Sequence, residues 1–300
     1  MNLIVRCPDF ASLSDRQQKL VAEKVAKDSL EYMERLDNPI ELRWPIYRKY
    51  VRRAVDILVS GLALIVTFPI NLVLLIGTYL DVGSPVFFNQ ERVGKDGKKF
   101  QLVKFRNMTN ETDENGVLLT PNKRVTKFGV FVRKTSLDEL LNFWCIFKGD
   151  MTLIGPRPLP TKYYTRFSRE HNQRHLVKPG LECPFHSCEL AGMGWKGRLD
   201  NDIWYVENIS PQTDFLMLWR FVKKVFSKQE RAGSASGQDS EFIGYDQDGN
   251  IFTSRNMPEK YLIGLAADDE DLGEIIDFPG RTNEEIEVVV CSGESVGGSF

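Results

Sequence analysis

Hydrophobic and polar positions follow three different patterns along the chain. In "DILVSGLALIVTFPINLVLLIGTYLDV", the 24 residues from Ile57 to Leu80 carry no formal charge, and about 20 apolar residues suffice for a helix to cross a bilayer core. Upstream, "SDRQQKLVAEKVAKDSLEYMERL" has helical spacing and Asn38-Pro39 ends it, which predicts a polar, partly helical lead-in over residues 1–40. Downstream, "SPVFFNQERVGKDGKKFQLVKFRNM" predicts a hairpin: Pro85–Gln90 as one strand, a turn at Gly94–Gly97 and Phe100–Phe105 as the return strand. Helical patterns recur at Leu137–Phe147, around Pro160–Glu170 and at Asp214–Phe226. The stretch "TNETDENGVLLTPNKRVTKFG" reads as a polar loop that could lie over a site, and residues 178–198 as mostly irregular. Ser227–Ser240 is linker-like. "EFIGYDQDGNIFT" reads as a hairpin around Asp248-Gly249-Asn250, and "EEIEVVVCSGESVGGSF" as one short strand with an unstructured end.

The apolar segment admits three placements: a transmembrane helix, a re-entrant helix that enters and leaves by one face, or a buried helix of a soluble protein. Length makes spanning the default. Pro69 sits mid-segment, where it removes a helical hydrogen bond and clashes with the preceding turn, and Asn71 is the only amide in the run. A bend there is tolerated at depth only if the freed carbonyls find partners. The flank "RWPIYRKYVRR" has five basic and no acidic residues, which marks the cytoplasmic side. The segment lies too far into the chain for a cleavable signal peptide.

Across 300 residues, 42% are hydrophobic and 27% charged, which suits one or two folded domains. The net charge of -2 hides a division. Residues 231–300 hold four basic and 15 acidic side chains, so the first 230 carry a net +9 and attract phosphate-bearing partners. No zinc-finger, basic-zipper or RNA-binding pattern accompanies that charge, so an anionic membrane surface is a better partner than nucleic acid. Five scattered cysteines argue for a reducing compartment.

Candidate chemistry centres on "RKTSLDELLNFWCIFKGDMTLIGPRPLP". Ser136 to Glu139 matches a capping box, with Asp138 and Glu139 in the first turn of a helix. That spacing explains Glu139 better than Asp138. Lys104 and Arg106 in "VKFRNM", Arg133 and Lys134 before the cap, and Arg157 in "GPRP" supply cations that could hold phosphates around one carboxylate. Cys183, His186 and Cys188, with His171 and His175, invite a zinc reading, but the spacing fits no strong finger pattern.

These segments in this order, with "HLVKPG" and "DNDIWYVENISPQTDF", resemble the bacterial sugar transferases, the monotopic polyprenyl-phosphate phosphoglycosyl transferases, over roughly residues 45–226. The resemblance implies an α/β, mainly helical monotopic membrane protein: a re-entrant helix broken at Phe68-Pro69, a compact cytoplasmic catalytic domain with a small hairpin, and amphipathic surface helices. The expected organisation is an N-terminal extension (1–44), basic flank and membrane helix (45–82), catalytic domain (83–226), linker (227–240) and small acidic extension (241–300). By the resemblance, Asp138 is the nucleophile of an Asp-Glu dyad that binds Mg2+ with Glu139. Asp138 would take a phosphosugar from a UDP-sugar, release UMP, and pass it to undecaprenyl phosphate as the first membrane step of capsule, exopolysaccharide, lipopolysaccharide or glycoprotein assembly. Arg133, Arg157, Lys104, Arg106, Lys178 and Asp202 are the expected substrate or phosphate-binding residues, with a helix cap as the alternative for Asp202. Expected partners are the UDP-sugar, polyprenyl phosphate, anionic lipids of the bacterial inner membrane, downstream glycan-assembly enzymes and, as an option, a second copy of the chain.

Two departures stand out. Phe68 occupies the place where the family has serine, and "LECPFHSCEL" replaces "ITGWAQVNGR" in register, putting Leu190 where arginine is expected. The alternative is a catalytically impaired homologue that serves as a membrane-bound nucleotide-sugar binding or scaffold protein.

Overall fold

The structure is a computed structural model that describes residue 10 and residues 13–114, 116, 118–226 and 240–262. Its elements are α1 (Asp15–Asp28), α2 (Leu30–Glu34), α3 (Arg52–Val82), β1 (Phe87–Val93), β2 (Lys99–Phe105), α4 (Pro121–Arg124), α5 (Lys127–Lys134), α6 (Asn142–Lys148), β3 (Thr152–Ile154), α7 (Arg169–Asn172), β4 (Gly180–Glu182), α8 (Cys188–Gly192), α9 (Gly194–Glu207), α10 (Pro211–Phe226), β5 (Phe242–Tyr245) and β6 (Ile251–Thr253). Strands pair in twos: β1 with β2 and β5 with β6 antiparallel, β3 with β4 parallel. The described chain is a mainly helical α/β protein with one long apolar helix.

That helix, α3, leaves most of its apolar side chains exposed, Ile65 at 73% and Leu80 at 78% among them. A lipid environment suits such a surface and water does not. Both ends of α3 are tied to the same body. Near its start, Asp56 accepts hydrogen bonds from the Leu153 N–H and the Thr152 hydroxyl, both at 3.0 Å. Arg53 donates to the Ile146 and Phe147 carbonyls at 2.6 Å, closing the C-terminal end of α6. Near its finish, Leu74 packs with Phe105 and Val132, and the Thr126 hydroxyl donates to Asp81 at 2.5 Å. The expected break at Phe68-Pro69 does not interrupt the helix, which runs through Pro69. Thr67 donates to the Ala63 carbonyl at 2.7 Å and accepts from the Asn71 amide at 3.2 Å, so the polar side chains flanking Pro69 are bonded within the helix.

The central core joins β2, α6, β3, β4, α9 and α10 through Leu102, Ile146, Leu153, Leu181, Tyr205 and Met217. The described segments nearest the two termini form a second layer. Val21 and Val25 of α1 pack with Ile243, and Phe242 and Tyr245 of β5 meet Tyr163, Phe167 and Trp195.

Both hairpins form where expected; only the first strand of the first one shifts, running Phe87–Val93 in place of Pro85–Gln90. Four local expectations need correction. The polar loop, residues 109–129, contains α4 and ends in the first turn of α5, capped by the Thr126 hydroxyl accepting from the Gly129 N–H at 2.8 Å. Residues 178–198 hold β4, α8 and the start of α9. There Gly197 allows the backbone contact that a helix pair this close requires, since a Cβ would lie 1.9 Å from the Leu190 carbonyl oxygen. Residues 160–170 divide into a 3-10 segment, Thr161–Arg166, and the start of α7. The expected helix at 137–147 divides in the same way at the carboxylate pair. The strand expected at the chain's end and nearly all of the linker lie outside the described residues.

Candidate active site

α5 ends at Lys134, and Ser136 then adopts φ 55° and ψ 24°, a left-handed conformation, before a single 3-10 turn over Leu137–Glu139. The capping box is absent. Ser136 makes no side-chain cap bond, because an N-cap needs extended backbone that the left-handed residue lacks. Both carboxylates are therefore free of capping duty.

Asp138 is buried at 9% exposure. Lys104 from β2 places its Nζ 3.7 Å from Asp138 Oδ2 and 3.5 Å from Glu139 Oε1. Arg157 pairs through Nη2 with Glu139 Oε1, and its Nη1 donates to the Leu181 carbonyl at 3.3 Å. Arg174 donates to the Arg157 carbonyl at 2.9 Å and so fixes the turn that presents it.

The environment drives the two carboxyls apart. Burial, joined by the charge of Glu139, pushes Asp138 up against the pull of Lys104 and Arg133. Burial also opposes the charge of Glu139, but Arg157 and Lys104 outweigh it and hold that carboxyl below the usual range. Glu139 is a committed ion-pair partner, whereas Asp138 keeps a carboxylate available for chemistry.

Beside the pair lies a cavity of about 230 Å³ whose wall includes Arg92, Lys104, Arg157 and Arg198, together with Asn142 and apolar residues such as Leu102, Met151 and Leu181. Burial and the neighbouring Arg157 push Arg92 down to about 10. Burial lowers Arg198 too, against the opposing effect of Asp202. An anion entering this space relieves the like-charge crowding. Sequence reasoning missed Arg92 and Arg198. The only trace of them there is the positive balance of the first 230 residues.

The remaining expected site residues divide. Arg133 donates to Asn107 Oδ1 at 2.8 Å and contributes to the field at Asp138. Arg106 is instead bound to the Val82 and Gly83 carbonyls, where it ties down the end of α3. Lys178 is not on the cavity wall; it shares the surroundings of Gly149 with Arg53, and burial lowers its affinity for a proton. Asp202 lies inside α9 and caps nothing. It accepts from Arg174 Nε at 3.1 Å and Nη2 at 2.6 Å, and both side chains are 2% exposed. His171 bonds to Tyr245 and Asp200, and His186 stacks on Trp204 with ring centroids 4.0 Å apart. Two of the five zinc candidates are thus engaged elsewhere, and the five do not gather into a metal-binding group among the described residues.

Asp138 and Glu139 supply adjacent oxygen donors of the kind magnesium prefers. No third His, Cys, Asp or Glu completes a metal-binding group among the described residues. That donor set fits an ion that takes its other ligands from substrate phosphate and water.

Comparison with known proteins bears on this arrangement. EpsL of Bacillus subtilis (strain 168), described as an uncharacterized sugar transferase, is 39% identical over 175 residues, 58% of this chain and 87% of that one. The UDP-N-acetylgalactosamine-undecaprenyl-phosphate N-acetylgalactosaminephosphotransferase of Aeromonas hydrophila is 31% identical over 191 residues, 61% of this chain and 45% of the relative. The UDP-glucose:undecaprenyl-phosphate glucose-1-phosphate transferase of Klebsiella pneumoniae is 37% identical over 191 residues, 58% and 40% respectively, so the aligned part spans less than half of either larger relative. Residues 47–228, which contain α3, the Asp138 turn and the whole cavity wall, match the family model described as bacterial sugar transferase, and the chain belongs to that family.

Proposed function

We propose that the protein transfers a sugar 1-phosphate from a UDP-sugar to polyprenyl phosphate, undecaprenyl phosphate by analogy with the relatives' names, and releases UMP. The observation that carries this reading is Asp138, a buried carboxylate without a capping role, whose neighbour Lys104 lines a cavity with four cations in its wall. Lys104, Arg157, Arg92 and Arg198 attract the diphosphate and offset the repulsion between it and the attacking carboxylate.

An Asp138 oxygen then forms a bond to the phosphorus bearing the sugar. The bond from that phosphorus to the bridging oxygen breaks, and UMP leaves with the electron pair. In the second half, a phosphate oxygen of the lipid attacks the same phosphorus, the bond to Asp138 breaks, and the carboxylate is restored. Glu139 holds Arg157 and Lys104 in position throughout. Magnesium held by Asp138 and Glu139 would supply charge neutralisation at the phosphates.

The membrane placement follows the same logic. α3 is attached to one body at both ends, which supports a helix that enters and leaves by one face, with the site at the cytoplasmic surface of the inner membrane. Exposed Trp144 on α6, and Phe215 and Trp219 on α10, suit an interfacial position. Donor and lipid then reach Asp138 from the water and bilayer sides.

The test is a UDP-sugar panel with magnesium and lipid acceptor, read by UMP release and by intact mass. The expected result is release with at least one sugar, a phosphosugar adduct on the chain, and loss of both by about 10⁴-fold in Asp138→Asn. No UMP across the panel overturns the reading and favours the scaffold alternative.

A further inference from the structure

We infer that Asn142 reads the donor: its side-chain amide hydrogen-bonds a hydroxyl of the sugar in the basic cavity. The inference rests on the donor reaction proposed above. Asn142 opens α6 four residues after Asp138, is 3% exposed, and lines the cavity. Its Oδ1 is buried with no hydrogen-bond partner among the described residues.

An orphaned buried amide oxygen loses its hydration and gains nothing in return, so it weakens the fold. Packing does not explain an asparagine there. A leucine would sit beside Leu102, Met151 and Leu181 on the same wall without that loss. A ligand in the cavity supplies the missing partner.

The chemistry of the wall indicates which part of the ligand that is. Arg92, Lys104, Arg157 and Arg198 attract phosphate oxygens. The neutral amide offers both an acceptor and donors, which suits a hydroxyl. At about 230 Å³ the cavity is smaller than the roughly 300–1,000 Å³ of a site for a whole small molecule, so it takes one part of the donor. In-line displacement puts the departing UMP opposite the attacking Asp138 oxygen. Asn142, which shares the cavity wall with the Lys104 that contacts Asp138, therefore meets the sugar that stays, not the nucleoside that leaves.

The experiment uses full-length Asn142→Leu and Asn142→Ala. It combines melting with and without UMP or UDP-sugars and UMP-release kinetics across epimeric UDP-sugars. Asn142→Leu is expected to melt higher than the parent when unliganded. Its stabilisation by UMP is unchanged, its stabilisation by the preferred UDP-sugar shrinks, and kcat/KM for that sugar falls about tenfold, the order of one neutral hydrogen bond. Discrimination between epimers narrows accordingly. Asn142→Ala cannot clash, and it shows the same narrowing even if the space it leaves lowers the melting temperature. Unchanged discrimination in both variants, or an equal loss of the UMP effect, overturns this assignment alone. A parent chain that neither binds nor turns over any UDP-sugar overturns the donor reaction and this assignment with it.

Discussion

Two arginine–carboxylate clusters in this molecule have similar chemistry and opposite character. In the first, Arg174 grips Asp202 with two nitrogens while its Nη2 also reaches the Arg157 carbonyl, and both side chains are 2% exposed. In the second, Arg157 and Lys104 face Glu139 and Asp138 with side-chain exposures of 12–31%, and a cavity opens alongside. The closed cluster is a strut; among the described residues the open one gives Asp138 an ammonium contact at 3.7 Å. Saturation of hydrogen-bonding capacity, more than charge, separates them. They are also coupled, because the strut holds the backbone of the arginine that the open cluster uses.

The largest way to break that contrast is to neutralise each aspartate in turn. Asp202→Asn leaves Arg174 buried without its counter-charge and is expected to cost about 3–5 kcal/mol of stability in denaturant melts. Asp138→Asn is expected to leave stability unchanged or slightly higher, since burial already disfavours its charge, while turnover disappears. Equal stability losses in the two variants would show that the clusters do not differ as described.

A smaller effect probes the coupling inside the open cluster. Glu139→Gln removes the counter-charge that orients Arg157 and Lys104, and a loss of about 100-fold in kcat/KM is expected from misplaced phosphate ligands. Melting should move much less than in Asp202→Asn, because these side chains remain partly solvated.

Acidity sharpens the comparison further. Asp138 is raised by burial, so the attacking carboxylate is lost, as pH falls, sooner than an ordinary aspartate. Glu139 is held low by Arg157 and Lys104 despite its burial. Its ion pair therefore contributes stability above the unfolded carboxyl range, and that contribution goes only as pH falls through the lower folded value. Activity should accordingly decline on acidification before the ion pair gives way, as read from pH profiles of kcat/KM beside melting curves. Lys104→Met should move the acid limb upward and Glu139→Gln downward, because each removes a charge that holds it where it is.

How much of this was legible in the sequence depends on the range of the interactions. Period and turn residues identified α1, α10 and both hairpins, since a local pattern sets a local element. The parallel pair β3–β4 has three residues per strand, too few to register as alternation. Arg92, Arg157 and Arg198 stand far apart in the chain and meet only because β1, the turn after β3, and α9 border one cavity. Arg106 looked equal to Lys104, two residues earlier, but alternation along the backbone carries no information about the α3 carbonyls that claim it. Asp202 likewise gave no sign of Arg174, its partner 28 positions away.

The smallest expected effect settles why the Asp138 turn is shaped as it is. "SLDE" reads as a cap, and if Ser136 were one, Ser136→Gly would cost only a few tenths of a kcal/mol and Ser136→Ala about 1. With φ at 55° the backbone occupies a region that non-glycine residues enter at a cost of about 1 kcal/mol. Glycine removes that cost, and part of the gain is lost to the greater freedom of its unfolded chain. Ser136→Gly should therefore gain roughly 0.5 kcal/mol, and Ser136→Ala should change stability little because no side-chain cap bond exists to lose. Ser136→Val, branched at Cβ, should lose more than either. A net loss in Ser136→Gly would restore the cap; a gain in stability with lowered kcat would show that the strained residue keeps Asp138 in its productive position beside Lys104.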